Sequence, residues 1–134
     1  MAELFSADWM NQLKDAWNAD PEVKDKLADI GFNSVITCGF KNEDQPRGVF
    51  VVENGECVRA GDYDGSTPDW DMRADRANWL KWASDGIGMA GLGTAFAVGK
   101  LKFLSGDFKG MIKDPRMAGP FVKSFALMQK IDTE

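Results

Sequence analysis

Two short runs of this chain have the residue types and spacing of ligand-binding chemistry. Gly86-Ile87-Gly88-Met89-Ala90-Gly91 matches the G-x-G-x-x-G of dinucleotide sites, in which a strand feeds the glycines and a helix N-terminus receives the pyrophosphate. Here a helical segment, Asp75 to Ser84, comes first, and the nearest later acid, Asp107, lies beyond the next strand. The glycines therefore read as a flexible, closely packed helix start, and nucleotide binding is not expected. Asp62-x-Asp64-Gly65-Ser66, followed by Asp69 and Asp71, resembles a calcium loop, but the third ligand is missing and Arg73 stands where the closing Glu belongs. These carboxylates read as solvated turn and strand-face groups. Neither a metal nor a cofactor is expected.

The chain contains no histidine, which removes Ser-His-Asp and Cys-His catalysis, most zinc sites and the commonest general base near neutral pH. Cys38 and Cys57 fall in strand-like segments and read as small buried hydrophobes. A net charge of −5 argues against nucleic acid as a partner. The bases nevertheless gather late: Lys100, Lys102, Lys109, Lys113, Arg116, Lys123 and Lys130 face only Asp107 and Asp114 between residues 99 and 130. They either solvate the outer faces of a strand and two helices or form a locally positive face.

What remains is apolar. Five Trp, nine Phe and seven Met in 134 residues can fill a core or line a pocket, and methionine suits a pocket that adapts to varied apolar ligands. The candidates for such a pocket are Trp79, Trp82, Met89, Leu92, Phe96, Phe121, Phe125 and Met128. The run from Gly86 to Val98 carries no charge, yet it is too short and glycine-rich to span a bilayer, which needs roughly 20 apolar residues. It must be buried in protein or lie against something hydrophobic.

The elements that would position these residues follow from periodicity. Ser6 caps a helix with Trp9, Leu13, Ala16 and Trp17 at helical spacing, and Asp20-Pro21-Glu22 starts a second helix that Gly31 closes just past Ile30. From Phe32 the period becomes two, with Phe32, Ser34, Ile36, Cys38 and Phe40 on one face. A strand over residues 48–53 turns at Asn54-Gly55 into its return partner. In a fourth strand Trp70, Met72 and Ala74 alternate with Asp69, Asp71 and Arg73, and Asp75 then caps the tryptophan-bearing helix. Leu101 and Phe103 mark a fifth strand and Ser105-Gly106-Asp107 opens a short helix. A terminal helix carries Met117, Phe121, Phe125, Met128 and Ile131, with its start read at Gly119-Pro120. The order is two helices, three or four meandering antiparallel strands, helices, one strand and helices. This is an α+β layout with helices on one face of a sheet. The length fits one domain over residues 1–134, 44% hydrophobic and 28% charged, as folded proteins are. No basic segment precedes an apolar stretch in Met1 to Trp9, so a cytoplasmic protein is expected.

The tryptophan helix, the glycine-rich segment ending in Ala97-Val98-Gly99-Lys100-Leu101-Lys102-Phe103, the Ser105-Gly106-Asp107 that follows and the terminal amphipathic helix together resemble the sterol carrier protein-2 (sterol-transfer) domain family. Element order agrees from about Phe32 to Ile131, and the sharp part is Gly99 to Asp107. The hairpin differs, with Glu53-Asn54-Gly55-Glu56 here, and Asp132-Thr133-Glu134 stands where some members carry a peroxisomal tripeptide. The resemblance implies a five-stranded, mostly antiparallel sheet with helices packed on one face, enclosing an apolar tunnel for a fatty acid, acyl-CoA, sterol or similar lipid. It implies no catalytic residue. A tunnel between sheet and helices adds Ile36, Phe50, Phe103 and Met111 to the candidate lining. The expected function is noncatalytic lipid binding and transfer, with a membrane surface or partner enzyme met transiently. The alternatives are an accessory subunit that presents a hydrophobic substrate to a partner enzyme, or a structural dimerisation domain.

Overall fold

The computed structural model describes residues 2–133. Met1 and Glu134, which begin the amino-terminal stretch and end the terminal tripeptide read above, lie outside the described residues. Helix α1 (Ala7–Asn18) starts where the Ser6 Oγ accepts a hydrogen bond from the Trp9 amide at 3.3 Å, and it buries Trp9, Met10, Leu13 and Trp17. Helix α2 (Lys24–Asp29) begins three residues later than the Pro21 start expected from the sequence. The Asp20 carboxylate and carbonyl accept from Glu22, Val23 and Lys24, making a turn that carries Val23 into the core before the helix begins.

Strands β1 (Ser34–Phe40), β2 (Gly48–Glu53) and β3 (Glu56–Asp62) form an antiparallel meander closed at Asn54-Gly55, both with positive φ. Strand β4 (Trp70–Ala74) does not extend it. The order is β3-β2-β1-β4-β5, with β4 parallel to β1 and antiparallel to β5 (Leu101–Ser105). The sheet is thus five-stranded and mostly antiparallel in an α+β fold, but the four-stranded meander is corrected. The 62–68 loop crosses back over the sheet, tied by the Tyr63 amide to the Arg47 carbonyl, and Asp69 then exchanges two 2.8 Å bonds with the Val35 backbone.

That crossing changes the surroundings of β4. Asp71 and Arg73 alternate with apolar residues as solvent-facing side chains should, yet they are only 6% and 2% exposed. Arg73 grips Asp71 with two hydrogen bonds, at 2.8 and 3.2 Å, and donates to the carbonyls of Phe40, Glu43 and Asp44. The reading of Asp71 as a solvated strand-face carboxylate is therefore corrected: the 41–47 loop folds over it and is pinned by the guanidinium. In the other acidic segment the Asp64 carboxylate accepts from both the amide and the hydroxyl of Ser66 and pairs with Arg59.

Helix α3 (Arg76–Asp85) follows Asp75, whose carbonyl, not its carboxylate, accepts from the first turn. Helices α4 (Met89–Ala97), α5 (Phe108–Ile112) and α6 (Pro115–Met128) complete the chain. The start of α6 is earlier than Gly119-Pro120, because Asp114-Pro115 supplies both an N-cap, accepting from the Arg116 amide at 3.0 Å, and a pre-organised first residue. Pro120 sits inside the helix and has no N–H to offer the Arg116 carbonyl. No helix among the described residues is long and apolar enough to cross a membrane.

Cys38 and Cys57 are free and buried in the sheet. Burial pushes the Cys38 thiol up to about 12, with the Asp71 charge adding and Arg73 opposing, and burial raises Cys57 to about 12 as well.

Two outcomes follow from these buried polar groups. Asp71→Ala strands the Arg73 charge, so urea denaturation should show a loss of about 3 to 5 kcal/mol, restored only in part in Asp71→Ala/Arg73→Met, which removes the stranded charge but leaves the carbonyls of Phe40, Glu43 and Asp44 without their donor. Equal stability of the single and double variants would contradict this account of the pair. Both thiols hold their protons more tightly folded than unfolded, so their contribution is fully present below pH 9 and is lost as pH rises toward 12. The urea midpoint should fall across that window more steeply in the native protein than in Cys38→Ala/Cys57→Ala; parallel curves would refute it.

Candidate functional site

The sheet face bearing Ile36, Cys38, Phe50, Trp70 and Met72 does not meet the helices above it everywhere. Between them lies a cavity of about 70 Å³. Helix α1 contributes Met10, Leu13 and Trp17 to its walls, α2 Leu27, α5 Met111, and α6 Met117, Pro120, Phe121, Ser124 and Met128; Phe32 closes it ahead of β1. The helical stripes explain the roof, since Met10, Leu13 and Trp17 recur at three- and four-residue spacing, as do Met117, Phe121, Ser124 and Met128.

The chemistry of this wall is uniform. Ser124 is its one hydroxyl, and its Oγ donates to the Phe121 carbonyl at 2.5 Å within the helix. The Trp17 indole N–H donates to the Gly55 carbonyl at 2.9 Å. Among the described residues no carboxylate, ammonium or guanidinium lines the cavity. The Cys38 thiol is neutral at physiological pH, so it offers no thiolate. Five of the seven methionines, Met10, Met72, Met111, Met117 and Met128, are on the wall, so its shape can change by rotation about unbranched side chains. Such a surface can hold an apolar group by burial and dispersion, and presents no acid–base pair to it.

Of the residues read from the sequence as ligand-binding, the structure brings Ile36, Phe50, Met111, Phe121 and Met128 together here. Trp79 and Trp82 lie in an aromatic cluster away from this cavity, and Trp82 also borders a shallow groove between α3 and α4. Trp79 is fully buried, donates its indole N–H to the Gly39 carbonyl at 2.9 Å, stacks on Phe125 and meets Phe5 and Trp82 edge-on. Phe125 stands behind the cavity, edge to face with Phe121 at 5.3 Å. Phe96 and Phe103 join Phe108 in a second cluster, with centroids at 4.5 and 5.1 Å from Phe108, while Leu92 is buried under α4 and Met89 is exposed on it. The sequence reading left out Met10, Leu13, Trp17, Leu27, Trp70, Met72 and Met117, as well as Phe32, Cys38, Pro120 and Ser124. The stripe of α1 and the apolar face of β4 were visible, but nothing in the periodicity separates cavity wall from solid core.

A second depression adjoins the first at Pro120, between α2 and the start of α6, lined by Glu22, Lys26, Asp29, Arg116 and Lys123 among others. Two of its three cations are already engaged: Lys123 reaches Glu22 at 3.4 Å and Asp20 at 3.8 Å, and Arg116 holds Asp114 at 3.1 Å. Among the described residues no group of three or more acidic or cysteine side chains is placed to hold a metal ion.

No protein-family model matches the chain, and no curated protein matches it by sequence. Solved structures do match by shape. A crystal structure of sterol carrier protein 2 superposes with a TM-score of 0.75 at 15% identity, covering 96% of this chain and 99% of that one. A conserved hypothetical protein from Thermus thermophilus, described as possibly a sterol carrier protein, gives 0.70 at 15% identity over 98% and 92%. The ubiquinone synthesis protein UbiJ-SCP2 gives 0.61 at 15% identity over 96% and 94%. With both chains covered almost end to end and a cavity between sheet and helices, this protein has the sterol carrier protein 2 fold.

Proposed function

We propose that this protein binds one apolar ligand of the fatty-acyl or sterol class in the cavity beneath α6 and carries it without chemical change. The observation that supports this most directly is the cavity wall itself, apolar but for the Ser124 hydroxyl and rich in methionine, with no ionised group among the described residues. At about 24 cal/mol per Å³, an empty space of about 70 Å³ costs about 2 kcal/mol, which a folded domain tolerates. A lipid-sized void of roughly 300 Å³ would cost about 7 kcal/mol, comparable with the whole stability of a domain. The wall is therefore expected to close down when free and to widen around a ligand, with the methionines supplying the adjustment. The candidate residues Ile36, Phe50, Met111, Phe121 and Met128 would make the contacts, and Phe125 would back them. One second reading has a specific motive: the likeness to a ubiquinone synthesis protein fits an accessory subunit that presents a hydrophobic substrate to a partner enzyme.

Titration with cis-parinaric acid should show saturable, one-to-one binding, and native mass spectrometry should count the same stoichiometry. Ile36→Trp fills the cavity and should abolish binding, at an overpacking cost of about 1 to 3 kcal/mol that leaves the fold intact by circular dichroism. Palmitate should change tryptophan emission through Trp17 and Trp70 on the wall, and Trp17→Phe/Trp70→Phe should silence most of that change. Undiminished binding by a folded Ile36→Trp would remove the cavity from the account.

A further inference from the structure

Helix α4 breaks the rule that the outer face of a surface helix is polar. Only Leu92 and Ala95 are buried. Met89, Ala90, Thr94, Ala97 and the capping Val98 are exposed, Met89 at 41% and Val98 at 63%, and none bears a charge. Lysines flank this face along α3 and at its C-terminal end. Lys81 and Lys100 line the shallow groove that Ala90, Thr94 and Val98 share with α3. At the helix end the Lys41 ammonium donates to the Gly99 carbonyl at 3.0 Å, and the Lys102 side chain passes beside Gly99. No ion pair among the described residues engages Lys81, Lys100 or Lys102. Between residues 76 and 106 Asp85 is the one acid, against Arg76, Lys81, Lys100 and Lys102, in a chain whose net charge is −5.

From these observations we infer that the outer face of α4, with its lysine rim, is a docking surface for an anionic lipid bilayer. Charge selects the occupant. An uncharged apolar strip flanked by ammonium groups fits the interface of a membrane, where the strip enters the acyl boundary and the lysines meet lipid phosphates. The acidic remainder of the molecule is repelled by the same surface, so the molecule approaches with this face leading.

The inner side of α4 extends the argument, here resting on the carrier function proposed above. Phe96, on the inner side, packs against Phe103 and Phe108. Phe103 meets Trp70 at 5.9 Å and Phe108 meets Phe121 at 6.0 Å, and both partners are on the cavity wall. A continuous aromatic layer thus joins the docking face to the cavity.

Vesicle flotation tests the docking. The native protein should float with phosphatidylcholine–phosphatidylserine vesicles, not with pure phosphatidylcholine, and should be released by salt. Lys100→Glu/Lys102→Glu and Val98→Asp should each weaken vesicle binding by about tenfold or more. Gly93→Leu should strengthen it, because a side chain added there meets open space on the exposed side. All variants should bind cis-parinaric acid as the native protein does. Failure of the native protein to float, or Val98→Asp floating unchanged, overturns the inference. A dimer abolished by Val98→Asp without vesicle binding assigns the face to a second copy, and a protein captured through this face without vesicle binding assigns it to that partner; both also overturn it. Vesicle docking without cis-parinaric acid binding sinks the carrier function and leaves the docking face standing.

Discussion

A sheet with one apolar face must be covered, and everything distinctive here follows from how that is done. Ile36, Cys38, Phe50, Trp70 and Met72 cannot remain in water, at roughly 25 cal/mol per Å² of exposed apolar area. The cover comes from α1, α2 and α6, which approach from both ends of the chain and are fixed by polar contacts at their edges. The indole of Trp9 donates to the Thr133 hydroxyl at 2.8 Å, and the amide of Ala2 donates to the Asp132 carbonyl at 2.9 Å, so the two ends of the chain clasp each other. Between the fixed edges the helices bridge the sheet, and the cavity lies under that bridge.

The opposite face of the sheet is covered differently. It receives loops, whose backbone carbonyls need donors once buried. Arg73 supplies them, and Asp71 neutralises the charge that this brings in. The two faces are coupled at Cys38. Its thiol lies on the cavity side, and both charges of the pair act on it from β4. Polar chemistry is thereby kept on the loop side, and the helix side is left free of charge. That division keeps the floor of the cavity apolar although the strand forming it reads Trp-Asp-Met-Arg-Ala.

Much of this could be read from the sequence, because alternation and helical spacing report directly on which side of an element is apolar. The strands, the tight Asn54-Gly55 turn and the facing of Ile36, Cys38 and Phe40 are all local facts. Direction and partner are not local: the alternation of β4 is the same whether it pairs with β3 or β1, and only the 62–68 crossing decides. The burial of Asp71 and Arg73 follows from that crossing, so it was hidden too. The same limit applies to the site. Trp79 and Trp82 share a helical face as their spacing requires, but that face meets Phe5 and Phe125, whereas the similar stripe of Met10, Leu13 and Trp17 meets the cavity. Methionine content was the better guide, since a chain that concentrates its unbranched apolar side chains against one space has a reason to keep that space adjustable.

The hydrogen bonds that resist widening of the cavity are unevenly distributed around it. Pulling α1 away from the sheet would break Trp9 to Thr133, Trp17 to Gly55 and both bonds between Asn18 and Cys57. Pulling the C-terminal half of α6 would unstack Phe125 from Trp79. The start of α6 has no comparable tie to the sheet: Asp114 caps its own helix, Pro120 has already removed one helical hydrogen bond, and the five-residue α5 beside it is held by Phe108 and Met111 packing. Regions with few buried hydrogen bonds and interrupted helices open at the lowest free energy. The cavity is therefore easiest to enlarge where Met111, Met117 and Phe121 line it, next to the aromatic layer that runs out to α4.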